Sequence, residues 1–183
     1  MDRTASYEDL LALPEHVIGQ IVRGVLHAHP RPAPKHAQAA TTLGEELGPP
    51  FKRGRGGPGG WLILDEPEIH LGPDVLVPDL AGWRRARMPE MPVDKPYFVL
   101  APDWVCEVLS PSTASLDRGD KLKAYAREGV AHVWLVDPEA RTLEVLALRE
   151  PSYVVFDVFA DDAKVRAAPF DAIELDLGLL WAR

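Results

Sequence analysis

Cysteine is almost absent from this chain. Cys106 is the one thiol among 183 residues, which excludes an intramolecular disulfide and a cysteine-rich zinc site. Also missing is any apolar run near the roughly 18 residues that a membrane span needs. The N-terminal MDRTASYEDL is charged and lacks the apolar core of a signal peptide, so a cytoplasmic protein with no membrane association is expected. Positive charge is in the minority: 20 Lys and Arg stand against 28 Asp and Glu, for a net charge of −8. That balance argues against a protein that coats nucleic acid through general cationic attraction. It leaves open an enzyme with a local basic entry and an acidic metal site.

Hydrophobic residues make up 46% of the chain, enough for a core and against wholesale disorder. The 18 prolines are about twice ordinary usage and predict stiff loops and little long helix. The length fits a single domain over residues 1–183.

Residues 7–14 (YEDLLALP) predict a short helix stopped by Pro14. Residues 16–29 predict two strands around an Arg23-Gly24 turn. Prolines 30, 32 and 34 then break regular structure, and Lys35 to Leu47 reads as a helix with Ala37, Ala40, Leu43 and Leu47 on one side. Gly48 and the following Pro-Pro pair are expected to end it. Residues 52–60 (KRGRGGPGG) form the most flexible stretch. Between Arg31 and Gly57, Arg31, Lys35, Lys52, Arg53 and Arg55 outnumber Glu45 and Glu46. This local reversal of charge suits a loop that approaches phosphate, or a solvated surface loop. No Gly-Lys-Ser/Thr follows, so it is not a P-loop.

Strand patterns dominate from Trp61 onward: WLILDEPEIHLG, VLVPDLAGW and DWVCEVLS, then a helix over about 115–128, then AHVWLVDP, TLEVLALRE and SYVVFDVFA. DPEART reads as a hairpin turn, and the C-terminal FDAIELDLGLLW as one more strand and a helical turn. Strands, one helix and strands again predict an α/β or α+β fold with a central mixed sheet.

Two carboxylates interrupt runs that otherwise read as buried strand. Asp79 follows Pro78 among Val75, Leu76, Val77 and Leu80, and Glu107 stands among Val105, Cys106, Val108 and Leu109. A buried carboxylate without a partner costs several kcal/mol or stays protonated. A divalent cation held between two of them removes that cost, and hard oxygen ligands suit Mg²⁺ or Mn²⁺. Lys121, on the edge of an inward stripe of Leu116, Leu122, Tyr125 and Ala126, is placed to reach the strand end that carries Glu107. It also stands four residues after Asp117, the spacing of an ordinary surface ion pair.

These residues carry a resemblance. Pro78-Asp79 followed about 28 residues later by Glu107 in an apolar strand resembles the PD-(D/E)XK nuclease superfamily. The string EVLSPSTASLDRGDKLKAYAREGVAHVWLVDP resembles its Uma-type branch, the domain-of-unknown-function-820 family, and the likeness runs from about Leu13 to about Leu148. It implies a restriction-endonuclease-like core, a mixed sheet flanked by helices with an N-terminal helix and β-hairpin. It further implies a metal-dependent endonuclease acting on nucleic acid, DNA before RNA, with Mg²⁺ or Mn²⁺ on Asp79, Glu107 and the Val108 carbonyl. Lys121 takes the place of the motif lysine, since Leu109 stands two residues after Glu107. Gln20 stands where the branch often has Glu, and an amide cannot act as a base. His36 matches a position this branch often fills with His; with Arg53 and Arg55 it is a candidate substrate contact.

Other polar residues have plainer readings. Ser110, Ser112 and Thr113 suit helix capping, Asp137 a turn, and His70 and His132 structural places in strands. Asp65, Glu66 and Glu68 read as a polar bend around Pro67. Cys106 reads as a buried hydrophobe, and Trp61, Trp83, Trp104, Trp134 and Trp181 as core or interface. Two rival functions stand beside the nuclease. One is a non-catalytic nucleic-acid- or protein-binding module, motivated by Gln20 and Leu109. The other is a self-associating structural protein, paired through the TLEVLAL and SYVVFDVF hairpin; separately, the small single domain and the nuclease resemblance suit a homodimer.

Overall fold

The computed structural model describes residues 3–181. Helix α1 (Tyr7–Leu11) opens with a capping box in which Ser6 and Asp9 satisfy each other's backbone N–H. Strands β1 (Ile18–Val22) and β2 (Val25–His29) form the expected hairpin. Arg23 and Gly24 both have positive φ, 52° and 77°, matching the right-handed twist of the pair.

Helix α2 (Pro34–Leu47) buries Ala39, Thr42, Leu43 and Leu47. It does not end at Gly48. A π turn continues it over Gly48–Lys52 and buries Pro50 and Phe51. The prolines fit because the widened turn first draws on the Arg53 N–H, which donates to the Gly48 carbonyl at 3.1 Å. The glycine-rich segment is folded back on this turn: the N–H groups of Arg55 and Gly59 donate to Pro49 and Pro50, both at 2.8 Å.

The next two strand patterns are each divided. WLILDEPEIHLG gives β3 (Trp61–Asp65) and β4 (Ile69–Leu71), and VLVPDLAGW gives β5 (Asp74–Leu76) and β6 (Leu80–Arg84). Strand β7 (Trp104–Val108) is buried throughout. Instead of one regular helix over 115–128, α3 (Ala114–Leu116) leads into a π turn (Asp117–Lys121) and then α4 (Leu122–Arg127). Strands β8 (His132–Asp137), β9 (Thr142–Arg149) and β10 (Ser152–Ala160) follow. Asp137 closes the β8–β9 turn by accepting from the N–H groups of Glu139 and Ala140, both at 2.9 Å. Strands β11 (Lys164–Val165) and β12 (Leu175–Asp176) and a short 3₁₀ turn complete the fold.

The main sheet has six strands in the order β10-β9-β8-β7-β6-β3. It is mixed: β7 and β8 run parallel, joined across α3–α4, and the other neighbours are antiparallel. A four-stranded antiparallel sheet, β2-β1-β5-β4, lies beside it. Alternation along β7 assigns its side chains to two cores. Trp104, Cys106 and Val108 join Leu43, Leu47, Phe51 and Phe170 on one face. Val105 and Leu109 join Trp83, Val133 and Tyr125 on the other. Glu107 therefore projects to the α4 side. Gly82 is required where it stands, since a Cβ there would come 3.2 Å from the rings of both Trp61 and Trp104.

All five tryptophans are buried, as is Cys106. Among the described residues no helix is long and apolar enough to cross a membrane. Strand β10 forms one edge of the main sheet and leaves Val154, Val155, Phe156 and Val158 exposed.

Candidate active site

Asp79 stands where the chain changes sheets. Strand β5 ends at Leu76 in the small sheet, and β6 begins at Leu80 in the large one. The residue is therefore in a bend and not, as the sequence suggests, inside a strand. Several bonds fix that bend. The Val77 N–H donates to Gln20 Oε1 at 2.9 Å, and the Glu66 N–H donates to the Asp79 carbonyl at 3.0 Å. The carboxylate is fixed as well: the Val108 N–H donates to Asp79 Oδ2 at 2.7 Å. Asp79 thereby serves as the partner of a β7 amide beyond the last paired residue of β6. Its Oδ1 lies 3.2 Å from His36 Nε2. His36 sits in the first turn of α2, and the helix aims it at Asp79. Burial alone would lower the imidazole pKa, but the Asp79 carboxylate and the Val108 backbone outweigh it and raise the value.

Glu107 is buried, 2% exposed. Its Oε1 accepts from the Tyr125 hydroxyl at 2.5 Å and lies 2.7 Å from Lys121 Nζ. Lys121 is 1% exposed and also reaches Asp117 Oδ1 at 3.1 Å. The Asp117–Lys121 pair that sequence spacing suggests does form, but in the interior and not on the surface. Burial pushes the Glu107 carboxyl up to about 8; Lys121 opposes this, while Asp117 and Asp79 add to it. For Lys121, burial disfavours the ammonium, but Glu107 and Asp117 prevail and raise its pKa. Asp79, Glu107 and Asp117 together bring three carboxylates against the single ammonium of Lys121. When Glu107 is ionised and His36 neutral, the surplus is two negative charges, which one divalent cation balances.

The donor set fits such an ion. Among the described residues, no group of three or more His, Cys, Asp or Glu side chains is arranged to hold a metal by itself. Mg²⁺ typically takes only one or two carboxylates and fills its remaining positions with water and substrate phosphate. Asp79, Glu107 and the Val108 carbonyl match that sparse pattern.

These residues open on a cleft of about 310 Å³ lined by Gln20, His29, His36, Asp79, Glu107 and Lys121. A larger one of about 970 Å³ adjoins it and shares Arg31, His36, Glu66 and Asp79. Lys52 and Arg53 line the larger cleft; Arg55 lines neither. The basic segment thus contributes part of its charge to the groove, through Lys52 and Arg53.

A family model described as "Uma2: Putative restriction endonuclease" matches residues 6–178. The chain belongs to the Uma2 family. A solved structure, described as a putative nuclease belonging to DUF820 from Anabaena variabilis ATCC 29413, shares the fold with a TM-score of 0.77 and 23% identity, over 97% of each chain. No curated protein matches the chain.

In this Uma2 member, the candidate residues Asp79, Glu107, Val108, Lys121, Gln20 and His36 all line the smaller cleft. Gln20 is nevertheless committed in part to structure, since its Oε1 holds the Val77 amide. Three neighbours were read too plainly. Glu66 is more than part of a polar bend: it lines both clefts, with φ of 45°, and burial followed by Asp79 and Asp65 raises its carboxyl pKa. Asp117 and Tyr125 complete the buried network around Lys121. Their spacing of four and four along one helix was the available signal. Glu68 and His70 belong elsewhere, bonded to each other at 2.7 Å and packed by Tyr7 and Tyr97.

Proposed function

We propose that this protein is a divalent-metal-dependent nuclease that hydrolyses phosphodiester bonds, with DNA before RNA as its substrate. The observation that carries the reading is the convergence of Asp79 and Glu107 in one cleft, beside a larger groove lined by Arg31, Lys52 and Arg53. Asp79, Glu107 and the Val108 carbonyl would hold Mg²⁺ or Mn²⁺. Such an ion, when bound, neutralises phosphate charge and eases the deprotonation of water. The protein's own groups do the rest. Arg31, Lys52 and Arg53 draw the phosphate backbone into the groove. The Gln20 amide, lacking a basic carboxylate, serves to orient water and to fix the bend before Asp79. Lys121 is too enclosed to touch substrate, so it acts by holding Glu107 in place. His36 stands beside Asp79 at the junction of the clefts, where a scissile phosphate would pass.

Purified protein incubated with DNA and with RNA, in Mg²⁺ or Mn²⁺, tests this beside Asp79→Ala. Cleavage by the wild type and its loss in the variant are expected. Cleavage that persists unchanged in the variant refutes the assignment. If neither cuts while Mn²⁺ still binds, the non-catalytic binding module is the better account, a reading that the absence of an acid at position 20 favours. The exposed apolar edge of β10 supports a homodimer as the working form.

A further inference from the structure

The helix after β7 carries Asp117, Lys121 and Tyr125 at four-residue intervals, and all three side chains turn inward. In a regular α-helix four residues overshoot one turn by about 40°. Three successive positions at that interval would drift off one face. Here the π turn at Asp117–Lys121 adds a residue to the local turn and takes up part of that drift. The three polar groups consequently line up under Glu107.

We propose that Tyr125 is a positioning residue for Glu107: with Lys121 it saturates Oε1, so that Oε2 alone is presented to the divalent cation. The proposal rests on the metal-dependent reading given above. Tyr125 is fully buried, and its hydroxyl donates to Glu107 Oε1 at 2.5 Å. Lys121 Nζ reaches the same oxygen at 2.7 Å and is itself held by Asp117 at 3.1 Å. Two donors on one oxygen stop the carboxylate from rotating and from using both oxygens on one ion. They also stabilise its anionic form, which is the form that binds a cation. None of the three helix side chains is more than 5% exposed, so each acts through Glu107 and not on a substrate.

Calorimetric titration with Mn²⁺ of the wild type and Tyr125→Phe tests the assignment. Phenylalanine keeps the ring in its packing and removes only the hydroxyl. The variant is expected to bind Mn²⁺ about 10- to 100-fold more weakly, the usual cost of losing a partner that orients a ligand, while its thermal midpoint stays near that of the wild type. A dissociation constant within about twofold of the wild type overturns the proposal. A second readout needs no variant. Difference infrared spectra of ¹³C-glutamate-labelled wild type, with Glu107→Gln to assign the band, report how the carboxylate coordinates. A one-oxygen mode on Mn²⁺ addition is expected, and a two-oxygen mode overturns the proposal. A wild type that binds no Mn²⁺ at millimolar concentration removes the underlying metal reading, which is a different failure from unaltered binding by Tyr125→Phe.

Discussion

Replacing Lys121 with methionine removes the only ammonium from the buried network and keeps most of the side-chain volume. The nitrogen lies 2.7 Å from Glu107 and 3.1 Å from Asp117, and the three side chains are 2%, 2% and 5% exposed. Solvent cannot replace it. Breaking a buried ion pair from one side costs about 3–5 kcal/mol, because a charge is left without a counter-charge. Two carboxylates are orphaned here, which raises the cost; Tyr125 still donates to Glu107, which lowers it. We therefore expect Lys121→Met to lose about 3–5 kcal/mol at neutral pH in urea unfolding followed by circular dichroism. The loss should grow as pH rises through about 8, where Glu107 gives up its proton, and shrink below it. It should also shrink in millimolar Mg²⁺, since the cleft then carries one more unbalanced negative charge than in the wild type. A loss below about 1 kcal/mol at pH 7, or a loss that grows on acidification, would refute the electrostatic account.

Four further outcomes follow from the geometry. Because Glu107 protonates in the folded state at about 8 against about 4.5 when unfolded, the folded state holds the extra proton. Stability should fall as pH rises across that window, and Glu107→Gln should flatten this part of the profile. Asp79→Asn should weaken Mn²⁺ binding at least tenfold by calorimetry with a near-normal thermal midpoint, since an amide oxygen can still accept from Val108; unchanged binding contradicts the ligand assignment. Arg53→Ala should lower nucleic-acid affinity and reduce the slope of log K against log salt by about 1, whereas Arg55→Ala should change neither; equal effects would show that the groove does not guide the backbone. In sedimentation, a wild-type dimer that Val155→Lys dissociates is expected, and a monomeric wild type at high concentration would exclude pairing through β10.

The local features that could be read in advance were those with a local cause. Arg23-Gly24 supports a tight turn whatever surrounds it, and Asp137 closes its turn with bonds to Glu139 and Ala140. The apolar run around Glu107 was equally plain as a buried strand, and β7 is buried throughout. The division of VLVPDLAGW between two sheets was not visible, because a buried strand and two short buried strands share the same apolar pattern; Pro78 was the one hint. The π turn at Asp117–Lys121 shifts hydrogen bonds by one residue and leaves no trace in composition. For Lys121 the sequence left two readings open, an inward reach to Glu107 and a surface pair with Asp117, because lysine is costly to bury alone. Its burial becomes reasonable only once β7 sets Glu107, and the π turn sets Asp117, against its ammonium. Glu66 stayed hidden for a similar reason, since its place beside Asp79 comes from the pairing of β3 with β6.

Asp79 hangs on the seam between two sheets, tied to one through Val77 and Gln20 and to the other through Val108. Any relative shift of the two sheets would therefore move the carboxylate with respect to Glu107. For the proposed nuclease, inhibition thus need not compete for the ion or for the nucleic acid; it can work by prising.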